Sequence, residues 1–401
     1  MKKTLAAVAV LGAFAGSTLA ADVQLYGIVD TGLQYLHSDS DGIGVDATDK
    51  FSMESGMQSG SRFGFKGVEE LGNGLKVGFI LEDGIKSDTG VDDDVLFNRE
   101  ASLFIEGGFG KLAMGRIGSF NGGVSSWGKY GVISAFGTSW GDYSAQAGTW
   151  AMGAGMWNNM IAYETPSFAG FKVFAQYGMG NQLEGSDEEL YGVENESSSD
   201  RYYAIGASYA NGPLNLYFAV DSINYASWNA ETNTSRGDVD DSLTVTLGGN
   251  FDFEVVKIFA GAQYFDEIKL SKMKGAINQG GIKFNNGEGT GVGSPIADKF
   301  KGWSLGLSAS IPVAGGQALV GAAYLDAEAA DSVHTTNGSL LEGDEFTRWI
   351  VSAGYDYPLS KRTNVYGVVT YNQDSIEFGK AKRPDQDPTV FGVMLGLRHK
   401  F

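Results

Sequence analysis

The chain has 401 residues and a formal net charge of −19, with 59 glycines, 12% aromatic residues and no cysteine. An acidic chain of this kind repels nucleic acid, and a chain without cysteine forms no disulfides and performs no thiolate chemistry. Abundant glycines and aromatic residues without a collagen-like repeat favour a protein of many strands over a helical bundle.

The first 20 residues have the pattern of a secretory signal peptide. Lys2 and Lys3 precede an apolar run from Leu5 to Leu19, and small residues flank a predicted cleavage site after Ala20. We therefore predict an exported protein of residues 21–401 that folds as one domain. No later stretch approaches the roughly 18 consecutive apolar residues that a spanning helix requires. The exported chain is then either soluble in the periplasm or spans a membrane as a β-barrel.

Several segments alternate apolar and polar residues with the period of a β-strand. The clearest lie at 23–35, 214–221, 243–253, 303–311 and 349–357. Because successive side chains of a strand point to opposite faces, each segment has one apolar and one polar face. Each is close to the roughly 9 to 11 residues with which a tilted strand crosses a bilayer. Segments 96–106 and 317–325 alternate poorly.

Short and long connections alternate along the chain. Turn signals predict seven short turns, at 71–74, 107–110, 167–170, 210–213, 252–255, 313–316 and 359–362. Eight long polar connections separate them, at about 38–58, 84–94, 119–157, 180–200, 226–241, 269–301, 329–344 and 376–388. This pattern predicts an all-β fold, a transmembrane antiparallel β-barrel of 16 strands with short periplasmic turns and long outer loops. A barrel of this size encloses a water-filled bore.

The last stretch, 389–401, places apolar residues on one face and small or charged residues, including Arg398 and Lys400, on the other. Unpaired backbone groups are intolerable in hydrocarbon, so we expect this strand to pair with the first one and close the barrel. The chain stops on Phe401, an aromatic residue of the apolar face.

The chain resembles the general porin family of beta-proteobacteria. The resemblance rests on the motifs D-V-Q-L-Y-G-I-V-D at 22–30, G-S-R-F-G-F-K-G-V-E-E-L-G-N-G-L-K at 60–76, F-N-R-E-A at 97–101, G-K-L-A-M-G-R at 110–116, L-S-K-R-T at 359–363 and the terminal G-L-R-H-K-F. It implies a homotrimer of sixteen-stranded outer-membrane barrels, each passing small hydrophilic solutes through its own pore. It also implies that Phe401 is part of the signal for barrel closure and assembly.

The long connection from Ser119 to Trp157 corresponds to the third loop, which folds into the bore in such porins. It contains one acid, Asp142, one base, Lys129, and eight large aromatic residues: Phe120, Trp127, Tyr130, Phe136, Trp140, Tyr143, Trp150 and Trp157. Because so many aromatic side chains are costly to leave in water, we predict that they are buried in the bore or at a subunit contact.

A basic cluster is predicted on the wall of the pore constriction. Strand parity places Arg62 and Lys66 on the inner face, because Phe63 and Phe65 take the outer one. The resemblance implies that Arg99 and Arg116 belong to the same cluster. We hypothesise that Arg62, Arg99 and Arg116 face Asp142 across the pore. The alternative is that an inward arginine pairs with a neighbouring carboxylate such as Glu69 or Glu82.

The sequence gives opposing indications about ion selectivity. Relatives that favour anions usually carry an arginine where this chain has Ala162, which depletes the basic cluster. The long outer connections contain runs of aspartate and glutamate whose field enriches cations at the pore mouth. These observations favour weak cation preference or poor discrimination.

No cofactor or dedicated metal site is expected. The stretch D-S-D-G-I-G-V-D at 39–46 is similar to a calcium loop, but Ile43 and Lys50 occupy ligand positions. Divalent ions that bridge outer-loop carboxylates to lipopolysaccharide phosphates fit this composition better.

The predicted function is passive diffusion of ions and small hydrophilic solutes through an outer-membrane channel. The nearest alternative is a substrate-specific channel, for example for sugars, since the third loop is rich in aromatic residues. A plugged structural barrel is a second alternative. A barrel enzyme is disfavoured, because none of His37, His334 and His399 lies in a recognisable nucleophile motif.

Overall fold

The computed structural model describes most of the chain between residues 23 and 401. The described residues are 23–39, 47–91, 95–137, 140, 148–151, 155–180, 193–229, 234–235, 240–269, 299–330, 345–377, 385 and 387–401. The predicted signal peptide, most of the calcium-like stretch and Asp142 lie outside them.

Sixteen strands form the wall, as predicted. They are β1 Gln24–Asp39, β2 in two segments (Thr48–Ser55 and Arg62–Gly72), β3 Leu75–Gly84, β4 Glu100–Gly107, β5 Gly110–Gly118, β6 Met156–Glu164, β7 Phe171–Gly178, β8 Arg201–Asn211, β9 Leu214–Asn224, β10 Leu243–Asp252, β11 Lys257–Lys269, β12 Lys299–Val313, β13 Gly316–Ala329, β14 Glu345–Pro358, β15 Thr363–Glu377 and β16 Thr389–Lys400. A two-residue ribbon, Trp228–Asn229 with Thr234–Ser235, stands apart from the barrel sheet. No helix among the described residues is long and apolar enough to cross a membrane.

The sheet closes on itself. Each strand pairs antiparallel with the next one along the chain, and β1 pairs with β16 from Ile28 opposite Lys400 to Asp39 opposite Thr389. Beyond that register, the Phe401 N–H donates to the Gly27 carbonyl at 3.1 Å, and the Gly27 N–H donates to the Phe401 carbonyl at 3.2 Å. The predicted pairing of first and last strands is confirmed, and it satisfies backbone groups that hydrocarbon cannot solvate.

All seven predicted turns and seven of the eight predicted long connections fall between consecutive strands, with overlaps of a few residues at their ends. The connection predicted at 38–58 was wrong in part, because Thr48–Ser55 within it pairs with β1 and belongs to the wall. The short links span 2 to 6 residues, from 73–74 between β2 and β3 to 165–170 between β6 and β7. With an even number of strands, both described ends of the barrel chain lie on the side of the short turns, which is the periplasmic side.

The wall separates two environments by alternate residues. On β10, the Leu247 side chain is 57% exposed on the outer face, whereas the adjacent Thr246 is buried on the inner face. On β12, Leu305 and Leu307 are exposed outside, whereas Ser308 is buried inside. An exposed apolar face suits contact with lipid, and a polar inner face suits a water-filled bore.

Segments 96–106 and 317–325 alternate poorly because some of their inward-facing side chains are apolar and contact the third loop inside the barrel. Phe104 on β4 and Leu319 and Leu325 on β13 turn apolar side chains inwards, and all three are buried in one cluster with aromatic residues of the third loop. Apolar residues therefore occur on the inner wall where the third loop covers it.

Strand β2 is interrupted at residues 56–61, which the sequence pattern did not predict. Its two segments pair with the two halves of β1, so they are one barrel strand. Gly56 adopts a positive φ of 73°, which breaks the strand at little steric cost to glycine. We call residues 56–61 the inward segment, because Met57 and Gln58 are buried on the bore side of the wall.

Candidate pore constriction

The third loop crosses the bore and bonds to the opposite wall. The Asn250 side-chain amide of β10 donates to the Val132 carbonyl at 2.7 Å, and the Ala135 N–H donates to Ser308 Oγ of β12 at 3.0 Å. On β11, the Gln263 amide accepts the N–H of Ala151 at 2.7 Å and donates to its carbonyl at 2.9 Å. These bonds satisfy loop backbone groups that would otherwise be buried without partners.

A buried ion pair holds the far part of the loop. Arg348 on β14 donates from Nε and Nη2 to the two carboxylate oxygens of Asp374 on β15, at 2.6 and 2.7 Å. A third donor of the same guanidinium, Nη1, bonds the Gly148 carbonyl at 3.0 Å. The side chains of both ionised residues are almost completely buried. Arg348 therefore connects the loop to the wall through a bidentate pair of fixed geometry.

Seven of the eight loop aromatics are described, and each is at most 6% exposed. They pack on each other and on the wall. The rings of Phe120 and Phe174 lie 4.3 Å apart between centroids, and Trp157 stacks on Tyr202 at 5.4 Å. Burial of the loop aromatics inside the bore is confirmed, and Tyr143 lies outside the described residues. These buried faces are not available to a passing solute.

The inward segment narrows the bore from another side. The Asp30 carboxylate of β1 accepts the backbone N–H groups of Gln58 at 3.0 Å and Ser59 at 2.7 Å, and it also accepts the hydroxyl of Tyr366 on β15. The Gln58 side-chain amide donates to Asp356 at 2.8 Å. Asp30 is fully buried, so its charge is used in fixing this segment.

Tyr366 joins the two constricting elements. Its hydroxyl bonds Asp30, which holds the inward segment, and its ring lies 5.3 Å from the ring of Trp140 in the third loop. The T-shaped arrangement of these rings is a favourable aromatic geometry. The inward segment and the third loop therefore restrict the bore at one level.

Three arginines surround the inward segment. Arg62 donates to the Gly60 carbonyl at 2.9 Å, and Arg398 donates to Ser59 Oγ at 2.9 Å. Arg99 Nη1 lies beside Gly60, and the same guanidinium donates to the Val124 carbonyl of the third loop at 3.3 Å. We call Arg62, Arg99 and Arg398 the arginine cluster.

One carboxylate serves two members of the cluster. Glu82 Oε1 accepts from Arg99 Nε at 2.7 Å, and Glu82 Oε2 lies 3.4 Å from Arg62 Nε. The Tyr26 hydroxyl donates to the same Oε2 at 3.0 Å. Pairing of an inward arginine with Glu82 was one of the two alternatives from the sequence. One carboxylate thus serves two guanidinium groups, and two other carboxylates nearby, those of Asp30 and Glu100, are buried.

The predicted site residues do not all meet. Lys66 lies on the inner face, but its Nζ sits 5.1 Å above the Tyr26 ring on the periplasmic side of the cluster. Arg116 pairs in register with Ala101, on the face opposite to Glu100, and bonds the Asn98 carbonyl and the Asn158 side chain. The structure therefore separates Arg116 from Arg62 and Arg99. The contact with Asp142 stays a prediction.

Two features of the constriction were missed in the sequence. Arg398 lies on the charged face of the last strand in the sequence pattern, and this inward parity is the signal that identifies it. The inward segment carried no signal beyond its glycines. Ala162, at which the resemblance led us to expect a depleted basic cluster, is completely buried beside the aromatic cluster of the third loop. The Ala162 side chain therefore contributes to apolar packing and does not line the charged part of the pore wall.

A closed antiparallel barrel with an apolar outer face, a polar inner wall and a loop across its bore defines an outer-membrane channel. Comparison with known proteins agrees: the family model for Gram-negative porins matches residues 6–376. The chain belongs to this porin family, and it is an outer-membrane porin for passive passage of ions and small hydrophilic solutes. Family and fold point to a channel rather than an enzyme.

Similar proteins cover the whole chain. An outer membrane porin protein of Bordetella pertussis is 35% identical, and the outer membrane porin protein 32 of Delftia acidovorans is 29% identical, each over 100% of both chains. Among solved structures, an anion-selective porin from Comamonas acidovorans has a TM-score of 0.61 at 24% identity, covering 95% of this chain and 100% of that one. A loop L8 deletion mutant of OmpT from Vibrio cholerae has a TM-score of 0.58 at 16% identity, with 95% and 100% coverage. These two structures share the fold.

We predict that Asp374→Asn lowers the free energy of unfolding by about 3–5 kcal/mol, because it leaves the buried Arg348 guanidinium without its counter-charge. Urea titration of the barrel refolded in detergent measures this. The double variant Arg348→Met/Asp374→Leu should recover most of the loss, since no unpaired charge is then buried.

Glu328→Gln is the matched control, because it breaks the exposed pair of Lys301 and Glu328 at 3.4 Å and should cost at most about 1 kcal/mol. Equal losses for Asp374→Asn and Glu328→Gln would contradict a stabilising role of the buried pair in holding the loop.

Proposed function

We propose that the arginine cluster is the charge filter of a general diffusion channel and that it favours small anions. The carrying observation is that Arg62, Arg99 and Arg398 surround the inward segment, whereas Glu82 is the carboxylate that pairs with two of them. Charges in a narrow passage with walls of low dielectric dominate selectivity.

The acidic outer connections act at a different place. Charges exposed to water are screened beyond about 8 Å at physiological ionic strength, so carboxylates at the mouth alter local concentration more than passage through the constriction. We therefore set aside the cation preference that the outer loops indicated. The buried state of Asp30 supports this, since its charge is engaged by the inward segment and Tyr366.

General diffusion is favoured over a sugar-specific channel by the burial of the aromatic residues. A row of aromatic faces that guides sugars must be exposed to the bore, but Phe120, Trp150 and Trp157 are at most 1% exposed. The polar donors and acceptors of the inner wall, such as Ser308 and Gln263, bond the third loop. A passage defined by charge and width fits this arrangement better than one defined by stacking.

A homotrimer is supported by polar groups on the outer face of β3 to β6. Arg116 and Asn158 bond each other there, and Asp83 is buried on the same side, where it accepts the Phe97 N–H at 3.0 Å. A charged side chain facing hydrocarbon is costly, so contact with a neighbouring copy suits this side of the barrel. Light scattering of the detergent-solubilised protein tests the assembly, and a monomer would contradict it.

Contact with lipopolysaccharide is supported at the outer rim. Asp266, Asp326 and Glu328 lie on the outer face beyond the aromatic residues Tyr264 and Trp303. Among the described residues no group of three potential ligands forms a metal site, so divalent ions would bridge carboxylates to lipid phosphates. Co-purification of lipopolysaccharide that survives chelation of divalent ions would contradict such a bridge.

Arg99→Gln is expected to lower the chloride-over-potassium permeability ratio by about twofold to fivefold, because it removes one positive charge from a partly exposed site. Glu82→Gln should raise the ratio. Reversal potentials across planar bilayers in a KCl gradient measure both. Lys361→Gln in an exposed periplasmic turn is the control. An unchanged ratio in Arg99→Gln and Glu82→Gln would remove the arginine cluster from the selectivity mechanism.

Liposome swelling with a graded series of neutral sugars tests general diffusion. We expect the rate to fall smoothly with solute size, because buried aromatic faces give no sugar a preferred contact. One sugar that enters faster than smaller solutes would instead establish a substrate-specific channel.

A further inference from the structure

A second group of cations lies on the inner wall near the periplasmic turns, away from the arginine cluster. Lys111 is the second residue of β5, Lys172 is the second residue of β7, and Glu164 is the last residue of β6. Lys129 reaches the same place from the third loop. We call Lys111, Lys129 and Lys172 with Glu164 the lysine site. Strand ends at the short turns place it in the periplasmic vestibule.

Glu164 is shared between two ammonium groups. Lys172 Nζ donates to Oε1 at 2.6 Å, and Lys129 Nζ donates to Oε2 at 3.1 Å. Both oxygens of one carboxylate are thus engaged by separate lysines. The Lys172 and Lys129 side chains are 40% and 25% exposed, and the bond to Glu164 uses one of the three donors of each ammonium group.

Lys111 contributes a cation held mainly by aromatic rings. Its backbone is opposite Glu164 on one side and Glu106 on the other, all on the inner face. Its Nζ nevertheless lies over the rings of Phe104, at 4.2 Å, and Trp127, at 5.1 Å. Aromatic faces orient an ammonium group but do not neutralise it. Lys111 is also close enough to Glu164 and Lys129 to interact with them electrostatically.

Lysines outnumber the partly exposed carboxylates of this wall. Three lysines stand against Glu164 and the more exposed Glu106, whereas the third carboxylate near Lys111, that of Glu100, is buried and accepts hydrogen bonds from Ser102 and Ser126. The three ammonium groups are held in place beforehand, two by the shared carboxylate and one by the rings. A fixed set of donors from several directions matches an anion with several oxygens better than a single-atom ion.

We propose that Lys111, Lys129 and Lys172 form a binding site for small multivalent oxyanions of the inorganic phosphate class in the periplasmic vestibule. The site rests on the proposed function only in that the bore conducts anions to it. An oxyanion that has passed the arginine cluster is held briefly here before it leaves. The inner wall therefore has two separate groups of cationic side chains, the arginine cluster at the constriction and the lysine site on its periplasmic side.

The test uses single channels of the full-length protein in planar bilayers, in dilute KCl with inorganic phosphate added. The measured quantity is the phosphate concentration that halves the chloride current. Lys111→Gln/Lys172→Gln is expected to raise it by about twofold to fivefold for each lysine removed. Glu164→Gln should lower this concentration, because Lys129 and Lys172 then lose their shared carboxylate and become free to bind phosphate.

Lys257→Gln is the matched control. Lys257 also begins a strand at the periplasmic end of the inner wall, and its Nζ lies 5.3 Å above the Phe259 ring, but its cross-strand neighbours are Asp252 and Ser310. Its half-blocking concentration should equal that of the wild type. Migration of unheated samples on gels verifies that every variant has folded.

Three outcomes would overturn the site: no phosphate effect on the wild type, equal shifts in the double variant and in Lys257→Gln, or weaker block in Glu164→Gln. The last would mean that Glu164 and Lys129 only tether the loop. A wild type that conducts and selects chloride without responding to phosphate would refute this site alone. A wild type that does not conduct would refute the proposed function.

Discussion

Hydrocarbon cannot hydrogen-bond a peptide group, and the rest of this structure depends on that constraint. It requires every strand to be paired on both sides, which β1 and β16 achieve by joining in register from Ile28 opposite Lys400 to Asp39 opposite Thr389. The closed sheet has no unpaired edge strand. Because side chains alternate along each strand, apolar ones face the lipid and polar ones face the water in the bore. A wide barrel has no packed core of its own, so its interior must be filled by water or by chain that returns into it.

Two segments of the chain, the third loop and the inward segment, fold back into the barrel and fill part of its interior. The third loop brings most of its aromatic residues against the inner wall, and buried polar groups such as Gln263 and Arg348 bond its backbone. The inward segment is fixed by the buried carboxylate of Asp30. The fold thus uses apolar packing on one side of the bore and a satisfied polar network on the other. Charged residues that remain partly exposed between them become the functional surface.

The arginine cluster and the lysine site have the same arrangement, in which two cationic side chains share one carboxylate. In the constriction two arginines share Glu82, and in the vestibule two lysines share Glu164. Sharing fixes the position of each cation, because the carboxylate accepts a bond through each oxygen. One carboxylate cannot neutralise two partners, and two further carboxylates nearby, those of Asp30 and Glu100, are buried away from the bore. Both sites are therefore ordered and still able to attract anions, as a diffusion channel needs when residence must be short.

The sequence alone determined most of the wall: the strand number, the short connections and all but one of the long ones, the closing partner of β16 and the inward direction of Arg62 and Lys66. These follow from a period of two and from turn residues, which are local properties. Tertiary structure decided which inward groups meet. Arg398 reaches Ser59 across 339 positions of sequence, and the register shift after Gly115 accompanies the turn of Arg116 away from the cluster. Such contacts depend on register, on bulges and on chain folded across the bore, and none of these is encoded in a residue's own neighbours.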